Sequence, residues 1–103
     1  MTYESIVKNW IQGEAFTALS QLLEEQGIDH TDIMTSRVKV DADYRWESFI
    51  DVAFGGTWVT YTVFGMVNDL EGMQVVGVKK GKNLIWMFDL MAREDLGIEK
   101  FEA

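Results

Sequence analysis

The sequence predicts an α+β fold in which one N-terminal helix packs on an antiparallel meander of four to five strands. Three observations support this. Apolar residues recur at helical spacing in the first quarter of the chain, a two-residue period then takes over, and glycine-containing turns divide the remainder into strand-like runs. A chain of 103 residues can form one domain with its own core, so we assign 1–103 to a single domain.

The N-terminal segment has one apolar stripe at i, i+3, i+4 spacing, which is typical of an amphipathic helix. Its members are Tyr3, Ile6, Val7, Trp10, Ile11, Ala15, Ala18, Leu19 and Leu22. Gly27 followed by Ile28 predicts the helix end, because a left-handed glycine and then an apolar residue commonly close helices. Gly13 lies inside the stripe and costs about 1 kcal/mol relative to alanine. The helix could therefore kink there or divide into two helices, 3–12 and 14–26.

The strands follow a connector predicted over residues 28–35. Polar and apolar residues alternate from Arg37 to Trp46, the pattern of a strand with one wet and one buried face. Further strands are predicted over 47–54, 57–67, 73–78 and 84–91, and Gly55-Gly56 is a hairpin signal. A sheet curved strongly around the helix, the architecture of cystatin-like or nuclear transport factor 2-like domains, is the alternative. No motif indicates membership of either family.

Charge is the most pronounced global property of the chain. Seventeen acidic residues against nine basic ones give a net charge of −8, and the first 32 residues contain six of the acids but only one lysine. This balance disfavours direct nucleic-acid binding, which needs clustered lysine and arginine. It fits a protein kept soluble by its charge, or one whose acidic surface meets a basic partner.

Two further compositional features bear on the protein's environment. Cysteine is absent, so no disulfide can form, and a cytoplasmic location is favoured. No run of about 18 apolar residues occurs, so we expect neither a membrane span nor a membrane partner.

Candidate catalytic groups are few. His30, the only histidine, lies between Asp29 and Asp32 in D-H-T-D, which we interpret as a solvated turn. Carboxylates at Asp41, Asp43 and Glu47 alternate with basic residues, as in an ionic ladder on a wet strand. Lys79, Lys80 and Lys82 surround Gly81 in a turn that lacks the helix of a phosphate site. We therefore expect no enzyme, no cofactor and no metal site.

The function predicted is that of a non-enzymatic protein that binds a macromolecule. Its sharper form is a small acidic inhibitor, of a kind common in phages and mobile elements, that blocks a basic or nucleic-acid-binding protein. The predicted acidic surface consists of Glu14, Glu24, Glu25, Asp29 and Asp32. The predicted apolar surface consists of Trp58, Phe64, Met66, Trp86 and Phe88, because one helix covers only one face of a sheet.

Two alternatives remain open. The first is a small-molecule-binding or enzymatic domain, with a pocket between helix and curved sheet lined by Tyr44, Trp46, Tyr61 and Trp86. The second is a self-assembling subunit, in which the apolar sheet face meets another copy of the chain. A sheet that curls and buries both faces within one molecule would leave no such apolar interface.

Overall fold

The fold consists of one helix followed by five strands, as seen in a computed structural model that describes residues 3–41, 43–68 and 72–87. The elements are α1 (Tyr3–Glu25), β1 (Asp32–Val40), β2 (Arg45–Phe54), β3 (Thr57–Asn68), β4 (Gly72–Lys80) and β5 (Asn83–Met87). The strands form one sheet in the order β1-β2-β3-β4-β5, and every neighbouring pair is antiparallel. The predicted α+β class with an antiparallel meander is confirmed.

The helix α1 runs through Gly13 without interruption, so the predicted alternative of two helices is wrong. Its C-terminus is closed as predicted. Gly27 has a φ of 67°, its amide donates to the carbonyl of Glu24 at 3.1 Å, and the amide of Ile28 donates to the carbonyl of Leu23 at 2.9 Å. These two bonds form a Schellman motif, and Ile28 packs against the core beside them.

The first hairpin differs from the prediction in where its first strand begins and in where its turn lies. Strand β1 begins at Asp32, inside the predicted connector, and the alternating run from Arg37 to Trp46 is not one strand. A turn interrupts it, in which Asp41 Oδ1 accepts hydrogen bonds from the backbone amides of Asp43 at 2.9 Å and Arg45 at 3.0 Å. The alternation hides this turn, because aspartates suit both a wet strand face and a turn.

The remaining strands lie close to their predicted positions. The glycines at 55 and 56 form the β2–β3 turn, with φ values of 60° and 100°. Along β3, the predicted division into two faces is confirmed. Val59, Tyr61, Val63 and Val67 pack towards α1, whereas Phe64 and Met66 belong to a cluster on the other side. The described part of β5 ends at Met87, and the predicted continuation over 88–91 lies outside the described residues.

The main core lies between α1 and the sheet. It is formed by Ile11, Ala15, Leu19, Leu22, Leu23, Trp46, Ile50, Val52, Tyr61, Val63 and Val78. We call the other side of the sheet the open face, and it carries a second, smaller cluster. That cluster consists of Phe64 and Val76, with Met66, Leu84 and Met87 packed against them. Both sheet faces therefore bury apolar side chains, but only one of them is covered by the helix.

Among the described residues, no helix is both long and apolar enough to cross a membrane.

Candidate binding surfaces

The C-terminal end of α1 concentrates negative charge. Glu24 and Glu25 occupy the last turn, which contains no basic residue, and Asp29 follows in the connector. All three side chains are exposed, and none forms an ion pair with another described residue. The last carbonyls of a helix carry partial negative charge, so carboxylates are unfavourable at this end. Local stability therefore does not explain why two glutamates stand here.

Asp32 and Glu14 complete the predicted acidic surface, but only one of them belongs to this end of the molecule. Asp32 opens β1 three residues after Asp29, is exposed, and accepts a hydrogen bond from the amide of Ile33 at 2.8 Å. Glu14 is also exposed, but it lies ten residues before Glu24, which is about 15 Å along a helix. We call Glu24, Glu25, Asp29 and Asp32 the acidic end. Glu14 is separate from it.

The predicted apolar surface is not one continuous patch. Trp58 is half exposed on the open face, at 50%. Phe64, six residues further along β3 and therefore about 20 Å away, is only 7% exposed. It lies in the smaller cluster with Met66, which is partly buried. The expectation that Phe64 is available to a partner is wrong, because its ring is buried within the smaller cluster of the open face.

The other two predicted apolar residues are not found beside Trp58 either. Trp86 pairs with Val78 and packs against the main core, on the sheet face that carries α1. A register shift opposite Ile85 causes this, because it places Leu84 and Trp86 on opposite faces despite their two-residue spacing. Phe88 lies outside the described residues.

Cations on the open face lie over aromatic rings. The guanidinium of Arg37 is 4.8 Å from the ring centroid of Phe49, and the ammonium of Lys39 is 5.8 Å from the same centroid. Lys79 lies 5.2 Å from the ring centroid of Phe64. Such cation–π contacts replace part of the predicted ionic ladder. The alternation of charges suggested the ladder, whereas only the cross-strand register reveals which ring each cation meets.

The candidate catalytic groups are distributed over turns and strand surfaces. His30 and both flanking aspartates are exposed, in agreement with a solvated turn. Asp41 organises the β1–β2 turn through its two backbone bonds. It also borders a groove of about 280 Å³ with Arg45, Glu47 and Lys79. The groove brings the carboxylates of Asp41 and Glu47 near the cations of Arg45 and Lys79, at the edge of the open face.

The alternative pocket lined by four aromatic residues does not form. Trp46 and Tyr61 are each 1% exposed and fill the main core, while Tyr44 is 64% exposed in the β1–β2 turn. Burial raises the pKa of the Tyr61 phenol above its ordinary value of 10.0. Trp86 borders a groove beside the helix.

The groove that Trp86 borders lies between the last two turns of α1 and strands β4 and β5, and its volume is about 130 Å³. We call it the helix-end groove. It is lined by Ala18, Gln21, Leu22, Glu25, Val75, Val78 and Trp86. An exposed carboxylate, a partly buried indole and aliphatic side chains therefore border one small cleft, at the negative end of the helix. Sequence reasoning did not find this groove, because it depends on the register of β5.

Comparison with known proteins adds no relationship: no family model, curated protein or solved structure matches the chain.

Proposed function

We propose that this protein is a non-enzymatic binding module that docks a basic protein partner at the end of the molecule where α1 terminates. The observation that supports this most is the helix-end groove, where the Glu25 carboxylate and the Trp86 indole border one cleft. Carboxylates attract cations, and a partly exposed indole is a preferred residue of protein interfaces. A partner with a basic surface satisfies both.

The charge of the acidic end supports the same proposal. Glu24 and Glu25 oppose the helix dipole and have no described cation beside them, so they cost stability without a structural return. Residues that break a local rule in this way are expected at functional positions. A partner that places lysine or arginine side chains here would neutralise the repulsion between the two carboxylates and the negative end of the helix dipole. The same end of the dipole would attract the partner's cations.

The proposed role is that of an inhibitor that occupies a basic surface. The carboxylates of this protein can occupy the positions beside the partner's cations that the phosphates of a nucleic acid would otherwise take. Binding would therefore exclude nucleic acid from the partner's basic surface. We propose the cytoplasm as its location because a chain without cysteine cannot form the disulfides that stabilise many small proteins in oxidising compartments.

The test compares two double variants that change net charge equally. Glu24→Lys with Asp29→Lys reverses the acidic end, whereas Glu14→Lys with Asp43→Lys reverses two exposed acids elsewhere. Tagged wild type and both variants are used to capture partners from lysate of the source at low and high salt. We expect a basic protein that wild type and the second variant retain, that the first variant loses, and that high salt releases.

A partner that both variants retain equally well, or that both lose equally, would overturn docking at the acidic end. Circular dichroism of each variant checks that the fold is intact, which we expect because all four side chains are exposed.

A further inference from the structure

The helix-end groove has a shape and chemistry that select one kind of group. Its volume of about 130 Å³ is well below the range of roughly 300–1,000 Å³ typical of sites for drug-sized ligands. It is therefore of a size for a single side chain rather than for a cofactor. Its walls are mainly aliphatic, formed by residues such as Leu22, Val75 and Val78.

We propose that the helix-end groove is an anchor site for one arginine side chain of the basic partner. This inference rests on the proposed function and specifies it. The aliphatic walls suit the methylene stem of arginine, which lies readily along apolar surface while its charged head stays at the rim. Glu25, exposed at the rim, can accept two parallel hydrogen bonds from the guanidinium.

Arginine fits this groove better than lysine for two reasons. Its planar guanidinium stacks on an indole such as that of Trp86, whereas an ammonium is a compact and strongly hydrated point charge. Its fixed fork of donors can bind the Glu25 carboxylate while also meeting the amide oxygen of Gln21, which borders the same groove. The carbonyl end of α1 adds a negative potential that favours any cation.

The charges around the groove are consistent with an incoming cation. Glu25 takes part in no ion pair within the described part of the chain, and neighbouring Glu24 adds a second unpaired carboxylate. The described lysines nearest in sequence to the groove's strand residues are Lys79 and Lys80, of which Lys79 lies over Phe64 on the open face. An arginine of the partner would therefore bring to Glu25 a cation that the described part of this chain does not place there.

The test uses the full-length protein labelled with ¹⁵N and titrated with tetra-arginine, with tetra-lysine as a probe of equal charge. We expect the indole N–H resonance of Trp86, assigned with a Trp86→Phe variant, to shift with tetra-arginine. Tetra-lysine should bind several-fold more weakly. Glu25→Gln should weaken tetra-arginine binding about tenfold, which corresponds to about 1.4 kcal/mol. Glu14→Gln, with the same change in net charge, should weaken it less than twofold.

Two outcomes would overturn the arginine anchor. One is equal weakening by Glu25→Gln and Glu14→Gln, which would indicate attraction to net charge alone. The other is binding of both peptides with equal affinity and no shift at Trp86. The anchor can fail while the proposed function holds: Glu24→Lys with Asp29→Lys would still abolish partner capture, although Glu25→Gln left tetra-arginine binding unchanged. If the captured partner also bound the Glu24→Lys with Asp29→Lys variant as well as it binds wild type, the arginine anchor and the proposed function would both fail.

Discussion

A Cβ atom on Gly65 would lie 2.6 Å from Cζ2 of Trp46, so the indole of Trp46 rests directly on the glycine opposite it in the β2–β3 ladder. The open face repeats the arrangement with other residues. There, a Cβ on Gly77 would lie 2.8 Å from Cε1 of Phe64, its partner in the β3–β4 ladder. Each side of the sheet thus seats an aromatic ring over a glycine of the neighbouring strand.

The first prediction concerns Gly65. Gly65→Ala should destabilise the protein by about 3 kcal/mol, because the added methyl meets both the indole and the backbone carbonyl of Gln74, which cannot move away independently. The measurement is the free energy of unfolding in urea.

Gly13→Ala is the matched control for that change. Gly13 lies inside α1, and among the described residues a Cβ atom there would meet nothing within 4 Å beyond its chain neighbours and the backbone of its own helix, so alanine should stabilise the helix by about 1 kcal/mol. Equal effects of the two substitutions would show that the ring does not rest on Gly65.

The second prediction concerns Ser48, which is fully buried on the helix side of β2. Within residues 3–41, 43–68 and 72–87, its hydroxyl has no hydrogen-bond partner, and neither does the neighbouring Trp46 Nε1. Because a buried hydroxyl without a partner costs about 1–3 kcal/mol, Ser48→Ala should raise the free energy of unfolding.

Ser36→Ala provides the comparison for Ser48. The hydroxyl of Ser36 donates to the carbonyl of Phe49 at 3.2 Å on the exposed edge strand, so its removal should lower stability slightly. A loss of stability in Ser48→Ala would mean that this hydroxyl is satisfied in solution.

The third prediction concerns the helix dipole at Glu24. Glu24→Gln removes a carboxylate from the negative end of α1 and should raise the midpoint of thermal unfolding at low salt. Glu14→Gln changes the net charge equally but lies in the middle of the helix, so it should have a smaller effect. The difference between the two variants should shrink at high salt, and a difference that persists would exclude a dipole effect.

The fourth prediction concerns the pH dependence of stability through Tyr61. Burial raises its pKa in the folded protein, whereas in the unfolded chain the phenol ionises near 10.0. Above pH 10 the unfolded state therefore binds fewer protons than the folded state, and stability falls as pH rises; below pH 10 this group contributes no change. Urea midpoints of wild type and Tyr61→Phe from pH 8 to pH 11 should differ increasingly above pH 10. A constant difference would contradict the shift.

Local signals in the sequence were enough to predict much of the fold. Gly27 with Ile28 marked the helix end, and Gly55-Gly56 marked the central hairpin, because each pattern satisfies a backbone requirement within a few residues. The faces of β3 also followed from simple alternation. The β1–β2 turn escaped detection, since Asp41 and Tyr44 continue the alternation while Tyr44 adopts a φ of 58°, which few non-glycine residues do.

The surfaces were harder to predict than the elements, because they depend on register. One extra residue in β5, Ile85, turns Trp86 towards α1, and no local pattern announces such a bulge. Phe64 was expected at a surface, but its ring is covered once Gly77 lies opposite it. The carboxylates of the acidic end could be predicted as a cluster, since they lie within nine residues of one another at the end of a helix.

The order of the strands has a consequence for how the chain folds. Each strand pairs with its predecessor in the chain, and the turns at residues 55–56 and 81–82 are only two residues long. Little loop-closure entropy is lost before pairing begins, so the sheet can grow by successive hairpins. The sequence also contains no proline, so no slow peptide-bond isomerisation delays the process. The docking of α1 beside β4 and β5 joins residues that are far apart in the chain, so we expect it to follow the hairpins that place those strands in the sheet.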